Sequence, residues 1–251
     1  MTGISPDTVL SVFVLFCRIG GCLMLMPGYS SSRVPVRIRL FMAFSVALAL
    51  APLLSRDVTR LLTGDAPAAL CRLFASEMLV GLLIGFLARI FFGLLETISG
   101  AIAMAIGMTS TLTVPLEDHE PLPAVTSFIM LGATALVFVS GVYWEVLRGI
   151  VASYTALPVS GLFDPRFNLV QISGCLAKSF MIALRIGSPF IVYSLITNFA
   201  IGLSSRLVPQ IPIYFITGPA VLLGGLTLLY VICSPFMQIF TAEFLSWLTY
   251  G

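Results

Sequence analysis

Residues 207–242 read LVPQIPIYFITGPAVLLGGLTLLYVICSPFMQIFTA, 36 positions without one Asp, Glu, Lys, Arg or His. Roughly 20 apolar residues in an α-helix cross the hydrocarbon of a bilayer, where every backbone N–H and C=O must be satisfied within the protein. A run of this length is a membrane helix or more. Working outward, residues 97–116 (20), 121–144 (24) and 186–205 (20) are also free of charge. Residues 8–28 are interrupted only by Arg18, and residues 40–54 are uncharged. Residues 73–95 hold Glu77 and Arg89 inside an otherwise apolar stretch, and form either one more span or the first arm of a hairpin with 97–116. The expected fold is all-α: a polytopic membrane protein of about six to eight long apolar helices arranged as hairpins, in a single unit over residues 1–251.

Composition agrees with that reading. The chain of 251 residues is 59% hydrophobic and 10% charged, where an ordinary soluble domain has roughly 45–50% and about 25%. Thirteen Lys and Arg against eleven Asp and Glu leave a net charge of +2, spread along the chain, which is too weak a field for nucleic acid. Cys17, Cys22, Cys71, Cys175 and Cys233 form no C-x-x-C pair and sit mostly in apolar runs, so they read as small buried hydrophobes. The first apolar stretch has no basic region before it and carries Pro6 and Asp7, so it is expected to stay in the mature protein.

Pro, Gly and charges punctuate the chain at residues 27–35, 56–67, 115–123, 158–166 and 206–212, and no break is long enough for a soluble domain. Orientation is not legible from the basic residues. Arg33, Arg37 and Arg39 fall in one loop and Arg56, Arg60 and Arg72 in the next, which alternation places on opposite sides. Either residues 40–54 do not span, or the protein is not a conventional bundle in lipid. A weak echo links Arg18-Ile19-Gly20 to Arg185-Ile186-Gly187, and Ser31-Ser32-Arg33 to Ser204-Ser205-Arg206.

Catalytic motifs are missing. No G-x-x-x-x-G precedes Lys178-Ser179, and G-x-S-x-G, G-x-G-x-x-G and H-E-x-x-H do not occur. His119 stands in Glu117-Asp118-His119-Glu120, four adjacent polar residues that cannot all face one ion, and reads as a solvated loop. No catalytic residue, metal ligand or cofactor is expected. The segment Gly107-Met108-Thr109-Ser110-Thr111-Leu112-Thr113-Val114-Pro115 must end a helix. At membrane depth such backbone is tolerated only where it is buried in protein or lines a cavity, so it is either a deformable pore constriction or an ordinary interhelical loop. Gly81, Gly85, Gly100, Gly224 and Gly225 allow close helix approach. Charges inside apolar runs, Arg18, Glu77, Arg89, Glu96, Arg185 and Glu243, serve either ion coupling or structural pairing. Pairing within the chain or to neighbouring subunits is favoured, because no lone carboxylate sits at the centre of a long span. Arg33, Arg37, Arg39, Asn198, Arg206 and Gln210 join Arg18 and Glu77 as polar groups expected to find such partners.

Three blocks carry a family resemblance. The first is Phe16-Cys17-Arg18-Ile19-Gly20-Gly21 with Met26-Pro27-Gly28 and Arg33-Val34-Pro35-Val36-Arg37-Ile38-Arg39-Leu40. The others are Glu77-Met78-Leu79-Val80-Gly81-Leu82-Leu83-Ile84-Gly85-Phe86 and Asn198-Phe199-Ala200-Ile201-Gly202-Leu203-Ser204-Ser205-Arg206-Leu207-Val208-Pro209-Gln210-Ile211. In order and spacing they resemble the FliR/SctT family of type III export-gate proteins over essentially the whole chain.

The resemblance implies a FliP-like N-terminal part and a FliQ-like C-terminal hairpin, with the boundary near residues 160–180. It implies FliP-like, FliQ-like, FlhB-like and FlhA-like partners, exported flagellar proteins as substrates, and a place in the bacterial inner membrane at the flagellar basal body. It maps a pore plug onto Gly107–Pro115, with Met108, Leu112 and Val114 as the sealing residues. It also implies a gate that sits partly above the bilayer plane. The acids common in the family's plug are displaced here to Glu117 and Asp118, and Ser140-Gly141 stands where Asn-Gly is common. The expectation is a gate subunit without enzymatic activity, in contact with membrane lipid and no nucleic acid. Its alternatives are a secondary transporter of a small solute, a purely structural scaffold, or the equivalent subunit of a virulence secretion system.

Overall fold

Proline opens three of the helices, at Pro6, Pro67 and Pro165, where its missing N–H costs nothing because first-turn amides have no intrahelical acceptor. The computed structural model describes residues 6–30, 34–62, 67–108, 113–114, 122–157, 159, 165–207, 209–210 and 213–250. Among them, in chain order, are α1 (Pro6–Leu25), α2 (Val36–Leu62), α3 (Pro67–Ala105), β1 (Thr113–Val114), β2 (Leu122–Pro123), α4 (Ala124–Val139), α5 (Val142–Ala156), α6 (Pro165–Leu207) and α7 (Ile213–Tyr250). Among the described residues the protein is all-α apart from the two-residue ladder of β1 and β2.

Five of the described helices are long and apolar enough to cross a membrane, within Thr8–Leu25, Val36–Leu54, Pro67–Ala105, Asn168–Leu207 and Phe215–Thr249. A sixth arises if α4 and α5 count as one bent span, so the number falls slightly below the six to eight expected. Two differences account for it. Residues 73–95 and 97–116 are not two arms of a hairpin, because α3 runs unbroken for 39 residues to Ala105. Glu96, the charge that separated them in the sequence, does not break a helix as Pro does. Conversely, the apolar stretch 121–144 is not one straight span. It bends by 71° between α4 and α5, where Ser140 caps α4 and Gly141 takes φ 70°, a left-handed conformation that glycine adopts without a Cβ penalty.

Pro52, Pro189, Pro219 and Pro235 lie inside continuous helices. Membrane helices tolerate this because neighbouring groups and local adjustment satisfy the freed carbonyls.

The chain forms two compact units, to which α3 and α6 each contribute a part. In the first, Met1–Ile90 with Trp144–Cys175, α1 packs on α2 and α3. Phe13 meets Phe74 edge-on at 4.9 Å, Phe16 meets Phe44 at 6.3 Å, and Gly20 faces Ala43. The carbonyls of Arg18 and Cys22 lie over Gly81 and Gly85 in turn, so α1 and α3 run parallel. In the second unit, Phe91–Tyr143 with Leu176–Gly251, α3 and α7 run antiparallel around an aromatic cluster. Phe91 packs on Phe244 and Trp247 at 5.7 and 5.1 Å, and Phe92 on Phe240 at 5.4 Å. The Tyr193 hydroxyl of α6 donates to the Val221 carbonyl of α7 at 2.6 Å. Outside these seams many large apolar side chains face outward, among them Phe41, Phe199, Phe215 and Tyr230, as they do in a protein bathed by lipid or by other helices.

Candidate functional site

Arg18 sits in the middle of α1, where a lone guanidinium in an apolar surround costs several kcal/mol, as an order of magnitude. The fold answers it from two other helices. Arg18 and Glu77 are each 1% exposed. Arg18 Nε donates to Glu77 Oε2 and Nη2 donates to Oε1, both at 2.7 Å, the two-pronged geometry that a planar guanidinium offers a carboxylate.

The remaining donors serve α5. Nη1 donates to Ser153 Oγ at 3.2 Å, and Nη2 donates to the Leu157 carbonyl at 2.9 Å. The last carbonyls of a helix lack intrahelical donors and carry its negative dipole end, so a cation there is doubly favourable. The Tyr154 ring completes the enclosure, its centroid 3.9 Å from Arg18 Cζ, a cation–π distance. One side chain thus ties together α1, α3 and the end of α5.

Glycines make the approach possible. A Cβ on Gly81 would overlap the Arg18 carbonyl, and one on Gly85 would stand 2.5 Å from the Cys22 carbonyl. On the other side of the seam a Cβ on Gly21 would meet the Met78 carbonyl at 2.8 Å. Gly81 is one turn beyond Glu77, so the position that admits the backbone of α1 and the position that holds its arginine share one face of α3. Gly224 and Gly225 of α7 lie against Tyr193 and Ile106. Gly100 has open space around it. Gly21, Ser153, Tyr154 and Leu157 were not singled out by sequence; only Gly21, inside a quoted motif, left a signal there.

The other polar positions are scattered. Arg37, Arg206 and Gln210 are exposed, Arg39 Nε donates to the Val34 carbonyl at 3.0 Å, and Arg33 lies outside the described residues. Asn198 is exposed and donates to the Ser194 carbonyl at 2.8 Å, within its own helix. Arg185, the sequence echo of Arg18, is exposed, so the two arginines of the repeated tripeptide occupy opposite environments.

The expected plug begins where α3 ends. Gly107 has φ 83°, and the Met108 amide reaches back to the Ala103 carbonyl at 2.9 Å, closing the helix with a left-handed turn. Farther on, Thr113 pairs with Pro123 and Val114 with Leu122 in an antiparallel ladder that returns the chain to α4. Thr109, Ser110, Thr111, Leu112 and Pro115 lie outside the described residues, as does His119. Among the described residues no group of three His, Cys, Asp or Glu is placed to hold a metal.

Comparison with known proteins adds the context. The family described as bacterial export proteins, family 1, matches residues 9–247. The chain is 32% identical to the flagellar biosynthetic protein FliR of Caulobacter vibrioides over 244 residues, 94% of this chain and 95% of that protein. It is 26% identical to FliR of Escherichia coli over 84% of this chain and 80% of that protein. It is 25% identical to the Yop proteins translocation protein T of Yersinia pestis, over 92% and 88%.

Proposed function

The chain belongs to family 1 of the bacterial export proteins, and from that premise we propose that it is a subunit of the flagellar type III protein export gate. It forms part of the conduit and its plug for unfolded flagellar proteins, in the inner membrane at the basal body. It performs no chemistry of its own and calls for no cofactor. FliP-like and FliQ-like subunits are its direct partners, with FlhA-like and FlhB-like components beside them. The flagellar system is preferred to the virulence one because the FliR relative of Caulobacter is nearer in identity than the Yersinia protein.

One observation carries the reading of an assembly. The helices α3, α6 and α7 have 39, 43 and 38 residues, and at 1.5 Å per residue they are about 57 to 64 Å long. The hydrocarbon of a bilayer is about 30 Å thick. Lipid cannot cover such rods along their whole length, and their outward side chains include Phe180, Leu195, Phe199 and Leu223. Other apolar helices must cover the remainder. A transporter working alone has no need of apolar surface beyond the bilayer.

The plug reading rests on the end of α3, which carries no charge and turns left-handed at Gly107, and on the connection beyond it, within which Thr113 and Val114 pair with Pro123 and Leu122. An open and a closed arrangement of such a loop interconvert only as far as partners or substrate bind the open form better. Replacing residues 107–112 by a shorter, glycine-rich segment is expected to leave the subunit in its complex and to make the membrane leak small ions. Unchanged conductance with normal assembly removes the plug role. Co-purification of tagged wild-type chain from its host in mild detergent tests the assembly: recovery of FliP-like and FliQ-like chains supports it, and a lone, monodisperse chain that binds a small solute overturns it.

A further inference from the structure

Lys178 and Arg185 of α6 are exposed, and among the described residues no hydrogen bond or ion pair satisfies either side chain. They are seven residues apart, two turns of helix, and so point to the same side about 10 Å from one another. Glu96 and Glu243, the acidic residues of the same compact unit among those described, do not bond to them. Met181, three residues after Lys178 and four before Arg185, lies beside both cations on that side, and Leu184 lies one turn beyond Met181; they are exposed by 67% and 40%.

No single solvent suits this strip. Hydrocarbon accepts Met181 and Leu184 but strongly penalises two unpaired cations. Water solvates the cations but leaves the apolar side chains exposed. Residues 186–205, which carry no charge, extend for about 30 Å and fill the hydrocarbon thickness by themselves. With 186–205 in the hydrocarbon, Arg185 marks the edge of that layer, and the strip from 178 to 185 lies beyond it. A surface that is both apolar and cationic outside the hydrocarbon is complementary to an apolar helix face that carries carboxylates.

We propose that residues 178–185 of α6 dock a helix of a neighbouring subunit whose apolar face bears two acidic residues seven positions apart, opposite Lys178 and Arg185. The proposal rests on the gate reading, since it takes the neighbour to be another subunit of that assembly. It fixes the chemistry of the partner and the register of the contact.

The test uses the full chain in native membranes with the rest of its export apparatus, and a photo-reactive amino acid at Met181, with Leu184 as a second probe position. Mass spectrometry of the adducts is expected to find a peptide from an apolar helix with Asp or Glu at that spacing. The yield should fall roughly tenfold or more in the Lys178→Glu/Arg185→Glu variant, as for the loss of a desolvated charge pair. It should return when the two acids are changed to Lys, and the Lys178→Arg/Arg185→Lys variant should cross-link like wild type. Adducts with lipid only, a peptide without acids, or a yield indifferent to charge reversal each overturn the proposal. The gate reading fails separately, if the unmodified chain co-purifies with no other membrane subunit.

Discussion

Replacing Glu77 with Ala while Arg18 remains is expected to cost about 3–5 kcal/mol, because it leaves a guanidinium in a dry interior with half its partners gone. Arg18 is 1% exposed in this structure, so no water is at hand to replace the carboxylate. A loss of that size is a large fraction of the roughly 5–15 kcal/mol that holds a typical domain together. Thermal unfolding of detergent-solubilised protein should show it directly, and the amount of folded protein in the membrane should fall with it. Arg18→Met alone should be nearly as harmful, since it strands the Glu77 carboxylate and leaves the Leu157 carbonyl without its donor. The double variant Arg18→Met/Glu77→Leu is expected to recover most of the loss, to within about 1–2 kcal/mol of wild type, because two apolar groups of similar volume need no partners. A Glu77→Ala protein as stable as wild type would contradict the buried pair. Failure of the double variant to recover would place the value of Arg18 in its contacts with α5 instead.

Gly81→Ala should be the most damaging substitution of its size in the chain. The added Cβ would overlap the Arg18 carbonyl, and a backbone oxygen cannot swing aside as a side chain can. The two helices must separate, which costs about 1–3 kcal/mol for overpacking alone. Separation also lengthens the two 2.7 Å bonds between Arg18 and Glu77, so the total should exceed that range. Gly100→Ala on the same helix is the control. Among the described residues a Cβ there would meet nothing within 4 Å beyond its own helix, and alanine is the better helix former by about 1 kcal/mol. Unfolding midpoints of the two variants should move in opposite directions. Equal midpoints would show that α1 and α3 do not approach as closely as Gly21, Gly81 and Gly85 permit.

Much of the fold was legible without coordinates. The uncharged runs 186–205 and 207–242 mark the second half of α6 and most of α7, and the expected helix end near Gly107 falls where α3 stops at Ala105. What failed was continuity. The sequence marks a boundary wherever a charge interrupts an apolar run, yet α3 passes through Glu77, Arg89 and Glu96 without a break, since a charged side chain leaves the backbone hydrogen bonds intact. Conversely, nothing in the hydropathy of residues 121–144 reveals the 71° bend at Gly141, because the bend is a matter of one backbone dihedral and not of polarity.

The site divides in the same way. Arg18 and Glu77 stand out in the sequence as charges inside apolar stretches, but so do Arg185 and Glu243. Arg18 and Arg185 even share the following Ile-Gly. Their fates differ because Arg18 finds Glu77 at a separation of 59 residues and Ser153 at 135, while among the described residues no acid pairs with Arg185. Glycines behave likewise: Gly81 and Gly100 look alike in an apolar helix, and only the path of α1 makes one of them indispensable.

By itself, then, the sequence determined that this chain lives among apolar surroundings as long helices, and that its resemblance runs from one end to the other. These are properties of composition and local periodicity, which need no neighbour to be expressed. Tertiary structure alone decided which charge is buried and which is exposed, and which small residues admit another backbone. Desolvation and close packing depend on groups far apart in the chain, and their energies have no value until a fold brings those groups together.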